Sequence, residues 1–130
     1  RPAQSIGHVM RESDIVSIYL PGDKGNHGLI NEEQISLMKD SAFFINTSRG
    51  EVVDQKALIE ALSMRRIAGG GLDVFENEPN IPQSLMGLDN VTLLPHIGSA
   101  TKEVRDEMGL LAVENLISYF GDKDCPSRVV

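Results

Sequence analysis

The sequence predicts an α/β fold in which a mostly parallel, doubly wound sheet is flanked by helices. Two observations lead to this prediction: short, nearly continuous apolar runs alternate with segments of helical periodicity, and glycines and polar residues collect between them. Nearly continuous apolar strands are typical of parallel sheets, which helices cover on both faces. The length of 130 residues suits one domain of ordinary size.

The strands are predicted where apolar and β-branched residues run together between turn residues. They span 14–21, 42–46, 67–74 and 91–95. In the third run, three consecutive glycines at 69–71 disfavour a strand unless another backbone or a ligand passes very close. The aromatic residues of these segments are expected in the core, namely Tyr19, Phe43, Phe44 and Phe75.

The helices are predicted from capping residues and from the spacing of apolar side chains. The predicted caps are Asn31, Asp54 and Thr101. The helix after Asn31 is expected to end near Lys39, and residues 5–11 are expected to form two helical turns. The last helix, over 104–120, carries apolar residues on more than one stripe and is expected to contact two bodies before Gly121 ends it.

Composition and charge exclude several classes of function. Twelve basic and nineteen acidic residues give a net charge of −7, so neither a nucleic-acid surface nor an anionic membrane surface is expected. No apolar stretch approaches the roughly 18 residues of a membrane span. The single cysteine, Cys125, cannot form an internal disulfide, which favours a reducing, cytoplasmic setting. No spacing of histidines and cysteines predicts a metal site.

A candidate functional rim follows from the predicted topology, because ligands of open parallel sheets bind outside the carboxyl ends of the strands. Each predicted strand is followed by polar residues or by a turn. The rim comprises Leu20 and Pro21, then residues 47–49, 73–78 and 96–98. Three side chains of this rim carry useful chemistry, namely Arg49, Glu78 and His96.

An arginine, a glutamate and a histidine at three strand ends suit chemistry on a small organic acid. A guanidinium holds a carboxylate through two parallel hydrogen bonds, which is the role predicted for Arg49. A histidine titrates near neutrality, so His96 can donate a proton to a carbonyl oxygen or accept one from a hydroxyl. A neighbouring glutamate favours the protonated imidazole. Together the three residues predict interconversion of a 2-keto acid and a 2-hydroxy acid, with the hydride supplied by a cofactor.

Four segments resemble the D-isomer-specific 2-hydroxyacid dehydrogenases: DIVSIYLP at 14–21, FINTSRG at 44–50, GLDVFENEP at 71–79 and LPHIGSAT at 94–101. The EPNI segment at 78–81 and the last motif are most similar to glyoxylate and hydroxypyruvate reductases. The resemblance implies a Rossmann-like NAD(P)-binding domain, NAD or NADP as cofactor, a small 2-keto or 2-hydroxy acid as substrate, and a homodimeric parent protein.

The resemblance also implies roles for individual residues. Arg49 would bind and orient the substrate, Glu78 would support the histidine, and His96 would be the acid and base. The residues implied to meet the nicotinamide half of the cofactor are Leu20, Pro21, Thr47, Ser48, Arg49, Asp73, His96, Ile97 and Gly98. Formate dehydrogenases of the superfamily have glutamine where this chain has Glu78, which argues against formate as the substrate.

The chain departs from the family at one point, because no Gly-x-Gly-x-x-Gly motif occurs in it. Residues 1–130 are therefore expected to be the C-terminal part of the nucleotide-binding domain, without the first βαβ unit and without the substrate domain. The strand at 15–20 would then lack its partner and present an open edge, through which the fragment is expected to self-associate. Alone, it is expected to bind dinucleotide weakly and to turn over little substrate.

Three alternatives remain open at the level of sequence. A dinucleotide-sensing corepressor of the same fold can keep all three candidate catalytic residues, and a peptide-binding cleft would distinguish it. Phosphoglycerate dehydrogenase is the nearest enzymatic alternative, and it usually adds a regulatory domain after the last helix. The third alternative is a folding remnant without activity, which titration with NADH would reveal.

Overall fold

The computed structural model describes residues 2–129. They form two compact units, one that ends at His96 and one that begins at Ile97. The first unit contains β1 (Ile15–Ile18), β2 (Phe43–Asn46), β3 (Gly69–Leu72) and β4 (Val91–Leu93), with α1 (Ile6–Glu12), α2 (Glu32–Ser36), α3 (Gln55–Ser63) and α4 (Gln83–Met86). A short 3-10 turn spans Gly50–Val52. The second unit contains α5 (Lys102–Phe120).

The sheet has the order β1-β2-β3-β4, and all three strand pairs are parallel. The prediction of a mostly parallel sheet is therefore confirmed. The ladders are shorter than the predicted runs, because β1 ends at Ile18 and β4 at Leu93, before Pro21 and Pro95. Proline cannot donate a backbone hydrogen bond to a ladder, so the segments that follow are released to form loops.

The hydrophobic core lies on one face of this sheet. Val16, Phe44 and Leu72 are buried there in a single cluster with Leu58 and Leu62 of α3. Alternate strand residues point to the other face, where Ile15 is 65% exposed in the described part of the chain. Helices α1 to α4 all contribute side chains to this one cluster, so within residues 2–96 the expected helical cover lies on one face.

Two of the four aromatic core predictions are wrong. Phe44 and Phe75 are buried as predicted, whereas Phe43 is 47% exposed and Tyr19 is 80% exposed. Phe43 lies on the uncovered face, since it precedes buried Phe44 in a strand where successive side chains alternate. Tyr19 follows the end of β1. No residue of α5 is buried, and the expectation that this helix contacts two bodies stays a prediction.

The close approach predicted at the three glycines is confirmed for Gly69. A Cβ atom there would lie 2.6 Å from the carbonyl oxygen of Asn90 and 3.1 Å from the ring of Phe43. A separation below 3.0 Å forces the backbone to move, so the glycine run allows β3 to pack closely between its neighbours. The sequence predicted that either another backbone or a ligand passes close to the glycines, and at Gly69 the close group is the backbone of Asn90.

The predicted helix caps are also confirmed. The side-chain oxygen of Asn31 accepts from the Glu33 N–H at 2.8 Å, that of Asp54 accepts from Ala57 at 3.0 Å, and that of Thr101 accepts from Val104 at 3.3 Å. The helix after Asn31 ends at Ser36 rather than near Lys39. The four residues of α4 were not predicted, because one turn shows no periodicity. No helix of the described chain has the length and apolar character needed to cross a membrane.

Candidate active site

Glu78 and His96 form a hydrogen-bonded pair at the carboxyl-terminal edge of the sheet. The Oε2 atom of Glu78 lies 2.7 Å from Nδ1 of His96, and Oε1 accepts a hydrogen bond of 3.0 Å from the Phe75 N–H. Both carboxylate oxygens are therefore engaged, and the side chain is fixed at two points. His96 has a positive φ of 55°, a conformation that is uncommon outside glycine but that histidine, asparagine and aspartate adopt more often than other residues. This backbone conformation starts the turn that follows β4.

These contacts change the acidity of the glutamate. The hydrogen bond from His96 is the largest influence and lowers the pKa of Glu78 below its ordinary value of 4.5. Partial burial raises the pKa, and the Phe75 N–H lowers it again. The carboxylate is therefore ionised at neutral pH, and it can act as a fixed acceptor that orients the imidazole. With Nδ1 engaged, Nε2 is the ring nitrogen left for proton exchange with a substrate.

Arg49 lies in a loop that the buried side chain of Asn46 organises. Asn46 is 2% exposed; its Nδ2 donates to the Arg49 carbonyl at 2.9 Å, and its Oδ1 accepts from the backbone N–H and the hydroxyl of Ser48 at 3.1 Å. The Arg49 guanidinium donates through Nη1 to the Ser48 carbonyl at 2.7 Å. One buried amide thus fixes the peptide groups around the arginine.

Gly50 brings the arginine loop against the loop that carries Glu78. A Cβ atom on Gly50 would lie 2.0 Å from the carbonyl carbon of Phe75 and 2.4 Å from the backbone nitrogen of Glu76. Only a glycine allows two backbones to come this close. Gln55, at the start of α3, adds a hydrogen bond, since its Oε1 accepts from the Glu76 N–H at 3.2 Å. The two loops are therefore held together by backbone packing and by one side-chain contact.

The three candidate catalytic residues line one open cleft of about 430 Å³. The lining residues are Arg49, Gly50, Glu51, Phe75, Glu76, Asn77, Glu78 and His96. Glu78 and His96 also line a smaller, mostly apolar recess of about 110 Å³ with Phe75, Pro79, Ile81 and Pro95. The structure thus brings together the arginine, glutamate and histidine that the sequence singled out.

The other predicted site residues are distributed along the same edge of the sheet or beyond it. Leu20 is half-buried against the core, and the carbonyl of Pro21 accepts from Asn26 at 3.0 Å. Thr47 is exposed at the end of β2. Asp73 is 4% exposed directly after β3, and its N–H donates to the Asn46 carbonyl at 3.0 Å. Ile97 and Gly98 belong to the second unit.

Sequence reasoning missed three residues that hold the site, namely Asn46, Gly50 and Gln55. Asn46 was assigned to the strand, although a polar residue that ends an apolar run is a signal of a buried amide at a strand end. No local sequence pattern marks Gly50 as a packing residue, because the backbone that it packs against, at Phe75, lies 25 positions further along the chain. No three histidine, cysteine, aspartate or glutamate side chains within residues 2–129 are grouped so as to hold a metal ion.

A family model described as D-isomer-specific 2-hydroxyacid dehydrogenase, NAD-binding domain, matches residues 2–98. The chain belongs to this family. Among relatives, it is 52% identical to the glyoxylate reductase of Pyrococcus furiosus over 111 residues, which are 85% of this chain and 33% of that protein. It is 50% identical to the glyoxylate reductase of Thermococcus litoralis over 121 residues, which are 93% of this chain and 37% of that protein.

Solved structures agree with this membership in the dehydrogenase family. An NADPH-dependent glyoxylate/hydroxypyruvate reductase from Sinorhizobium meliloti, in complex with NADP and malonate, has a TM-score of 0.93 and 36% identity, covering 98% of this chain and 40% of that one. The apo D-mandelate dehydrogenase of Rhodotorula graminis also has a TM-score of 0.93, at 35% identity, over 98% of this chain and 38% of that one. This member of the dehydrogenase family therefore spans between a third and two fifths of its relatives' length.

Proposed function

We propose that this chain is part of an NAD(P)-dependent oxidoreductase that interconverts small 2-keto acids and D-2-hydroxy acids, of the glyoxylate/hydroxypyruvate reductase type. The observation that carries the proposal is the Glu78–His96 pair, 2.7 Å apart, in the cleft that Arg49 also lines. The glyoxylate reductases among the relatives, at about 50% identity, favour this activity over that of a phosphoglycerate dehydrogenase.

Arg49 is proposed to bind the substrate carboxylate. Its guanidinium is exposed on the cleft wall and donates at present to the Ser48 carbonyl of its own loop. A carboxylate that enters the cleft can take two parallel hydrogen bonds from the same planar group. Such a contact both attracts the acid and orients the carbonyl next to it, which is the reacting centre.

His96 is proposed to move the proton. During reduction, its Nε2 donates a proton to the keto oxygen as negative charge develops there, and during oxidation it accepts the proton of the hydroxyl. Glu78 holds Nδ1 and so fixes the ring. The pair therefore acts as one acid and base, with the glutamate as the orienting member.

The residues at the strand ends fit a nicotinamide dinucleotide. The parallel strands end at one edge, where Leu20 and Thr47 can offer backbone groups to the cofactor, while Pro21, Ser48 and the buried Asp73 would shape the wall beside it. When bound, NADH or NADPH would supply the hydride that reduces the keto carbon. The contacts with the nicotinamide half of the cofactor that the resemblance implies for Ile97 and Gly98 stay predictions.

We infer that residues 1–130 are the C-terminal part of the NAD(P)-binding domain of a longer protein. Three observations support this: the sequence contains no Gly-x-Gly-x-x-Gly motif, the relatives are about two and a half times as long, and β1 is an edge strand in the described sheet. The parent protein is proposed to be a homodimer and to carry its substrate domain and pyrophosphate site outside this chain.

The experiment that tests this proposal compares substrates with and without a carboxylate. In the full-length protein, initial rates are measured with glyoxylate, hydroxypyruvate and glycolaldehyde, each with NADH and with NADPH. We expect the kcat/KM of both 2-keto acids to exceed that of glycolaldehyde by roughly 10-fold to 100-fold. Glycolaldehyde has no carboxylate and therefore cannot make the charged hydrogen bonds to Arg49. Arg49→Lys should remove most of this preference. The control Arg11→Lys, at an exposed residue of α1, should keep it. Equal rates with all three carbonyl compounds, or no oxidation of either cofactor, would refute the proposal.

A further inference from the structure

We propose that Asn46 is a positioning residue for Arg49, and that it controls how well the cleft binds a carboxylate. This inference rests on the function proposed for Arg49 above. Asn46 does not line the cleft of Arg49, Glu78 and His96. Its effect would be exerted through the backbone of the 47–49 loop.

The argument starts from the three hydrogen bonds of one buried side chain. Asn46 is 2% exposed and ends β2. Its Oδ1 accepts from the Ser48 hydroxyl and from the Ser48 N–H, and its Nδ2 donates to the Arg49 carbonyl. These two backbone groups belong to the peptide units on either side of the Ser48–Arg49 peptide. Because both flanking units are held, the peptide between them has little freedom to rotate.

The Ser48–Arg49 peptide in turn places the guanidinium. Its carbonyl, on Ser48, accepts from Nη1 of Arg49 at 2.7 Å, so the direction of this carbonyl sets where the charged group rests. Arg49 itself has an extended backbone, with φ −145° and ψ 138°. The chain of contacts therefore runs from the buried amide to the peptide and from the peptide to the guanidinium. A displaced peptide would displace the carboxylate anchor.

Asn46 also couples this loop to the neighbouring strand. Its main-chain carbonyl accepts from the Asp73 N–H at 3.0 Å. The residue thus fixes the arginine loop relative to the end of β3, from which the Glu78 loop begins. A merely structural asparagine would satisfy backbone groups without touching the arginine loop. Asn90 is such a residue, since its Nδ2 donates to the carbonyls of Leu62 and Ala68 at 3.2 and 3.4 Å.

The test uses Asn46→Asp and the matched control Asn90→Asp in the full-length protein. Aspartate keeps the shape of asparagine and the acceptor for Ser48, but it replaces the donor to the Arg49 carbonyl by an oxygen. We expect Asn46→Asp to raise the KM for glyoxylate by about tenfold. The pH dependence of kcat should stay unchanged, because the Glu78–His96 pair is intact. Asn90→Asp should leave the KM for glyoxylate unchanged.

A second readout reports on Arg49 without catalysis. The rate at which phenylglyoxal modifies Arg49 is followed by peptide mass spectrometry, with Arg11 as internal reference. Asn46→Asp should release the guanidinium and speed its modification, and Asn90→Asp should not. If wild-type protein reduces no 2-keto acid but Arg49 reactivity responds to Asn46→Asp, the proposed function fails and the positioning role stands.

The positioning role is overturned if Asn46→Asp folds with the KM for glyoxylate and the Arg49 reactivity of the wild type. Should Asn46→Asp fail to fold, Asn46→Ser decides, because the shorter hydroxyl side chain loses the amide donor to the Arg49 carbonyl without adding a charge. A raised KM for glyoxylate with an unchanged pH dependence of kcat would then support the role. An unchanged KM for glyoxylate would overturn it.

Discussion

The Nδ1 atom of His96 lies 2.7 Å from the Oε2 atom of Glu78, although 18 residues separate them in the chain. The histidine follows β4 and the glutamate follows β3, and these strands are neighbours in the parallel sheet. Their carboxyl ends therefore meet at one edge, where a loop from each strand supplies one member of the pair. The paired strands, and no local sequence motif, create this contact.

The pair should contribute stability that depends on pH. Since the folded-state pKa of Glu78 is lowered, its contribution is present above the ordinary value of 4.5 and is lost as pH falls through the lowered pKa. We expect Glu78→Gln to reduce the free energy of unfolding by at most about 1 kcal/mol near neutrality, because both side chains are partly exposed. The difference should vanish in acid, as urea titrations at several pH values can determine. A difference that grows with acidity would contradict the assigned pKa direction.

Gly50→Ala should destabilise the protein severely. The new Cβ would overlap the backbone of Phe75 and Glu76, and backbone atoms cannot move aside as a side chain can. We expect a loss of at least about 3 kcal/mol in the free energy of unfolding. Gly109→Ala is the control, since nothing lies within 4 Å of its Cβ position in α5, and it should stabilise the helix by roughly 0.5–1 kcal/mol. Equal effects of the two variants would refute the close packing of the two loops.

Gly22→Ala should weaken substrate binding without altering the acid and base. Its Cβ would lie 2.9 Å from Cγ and 3.2 Å from Cβ of Arg49, so the arginine stem has to shift. We expect a rise of roughly 10-fold in the KM for glyoxylate, with an unchanged pH dependence of kcat. Gly25→Ala, in the same loop, meets only Asp23 at 3.4 Å and serves as the control. If both variants bind glyoxylate equally well, Gly22 does not confine Arg49.

The 130-residue chain alone should self-associate through the open edge of its sheet. In the described residues β1 is an edge strand, and Ile15 on it is 65% exposed. Edge strands are blocked by charged residues, so Ile15→Lys should shift the chain towards monomer in sedimentation velocity. Met64→Lys, at a side chain 62% exposed beyond α3, should not. An unaltered distribution for Ile15→Lys would exclude this edge as the interface.

The sequence predicted the parts of the fold that depend on local pattern. Apolar runs located all four strands, and Asn31, Asp54 and Thr101 located helix starts, because strand pattern and capping are properties of neighbouring residues. Exposure was harder to predict. Phe43 is the same residue type as buried Phe44, so its exposure depends on what covers each face of the sheet, whereas Tyr19 lies beyond the end of β1.

For the site, the sequence predicted the residues proposed to carry the chemistry and missed those that hold them in place. Arg49, Glu78 and His96 could be singled out because each follows a predicted strand, and the carboxyl ends of parallel strands meet at one edge. Asn46 and Gly50 depend on contacts with peptide groups elsewhere in the chain, such as Gly50 with Phe75. Such contacts exist only in the folded backbone, so no pattern of neighbouring residues contains them.

The most direct test of the central claim is the rate of glyoxylate reduction by His96→Gln in the full-length protein. We expect kcat to fall by at least about 100-fold with little change in the KM for glyoxylate, since a proton donor is lost and the carboxylate anchor remains. The control His8→Gln, at an exposed residue of α1, should reduce glyoxylate with the kcat of the wild type. If His96→Gln also keeps the wild-type kcat, the Glu78–His96 pair is not the acid and base, and the active site lies elsewhere.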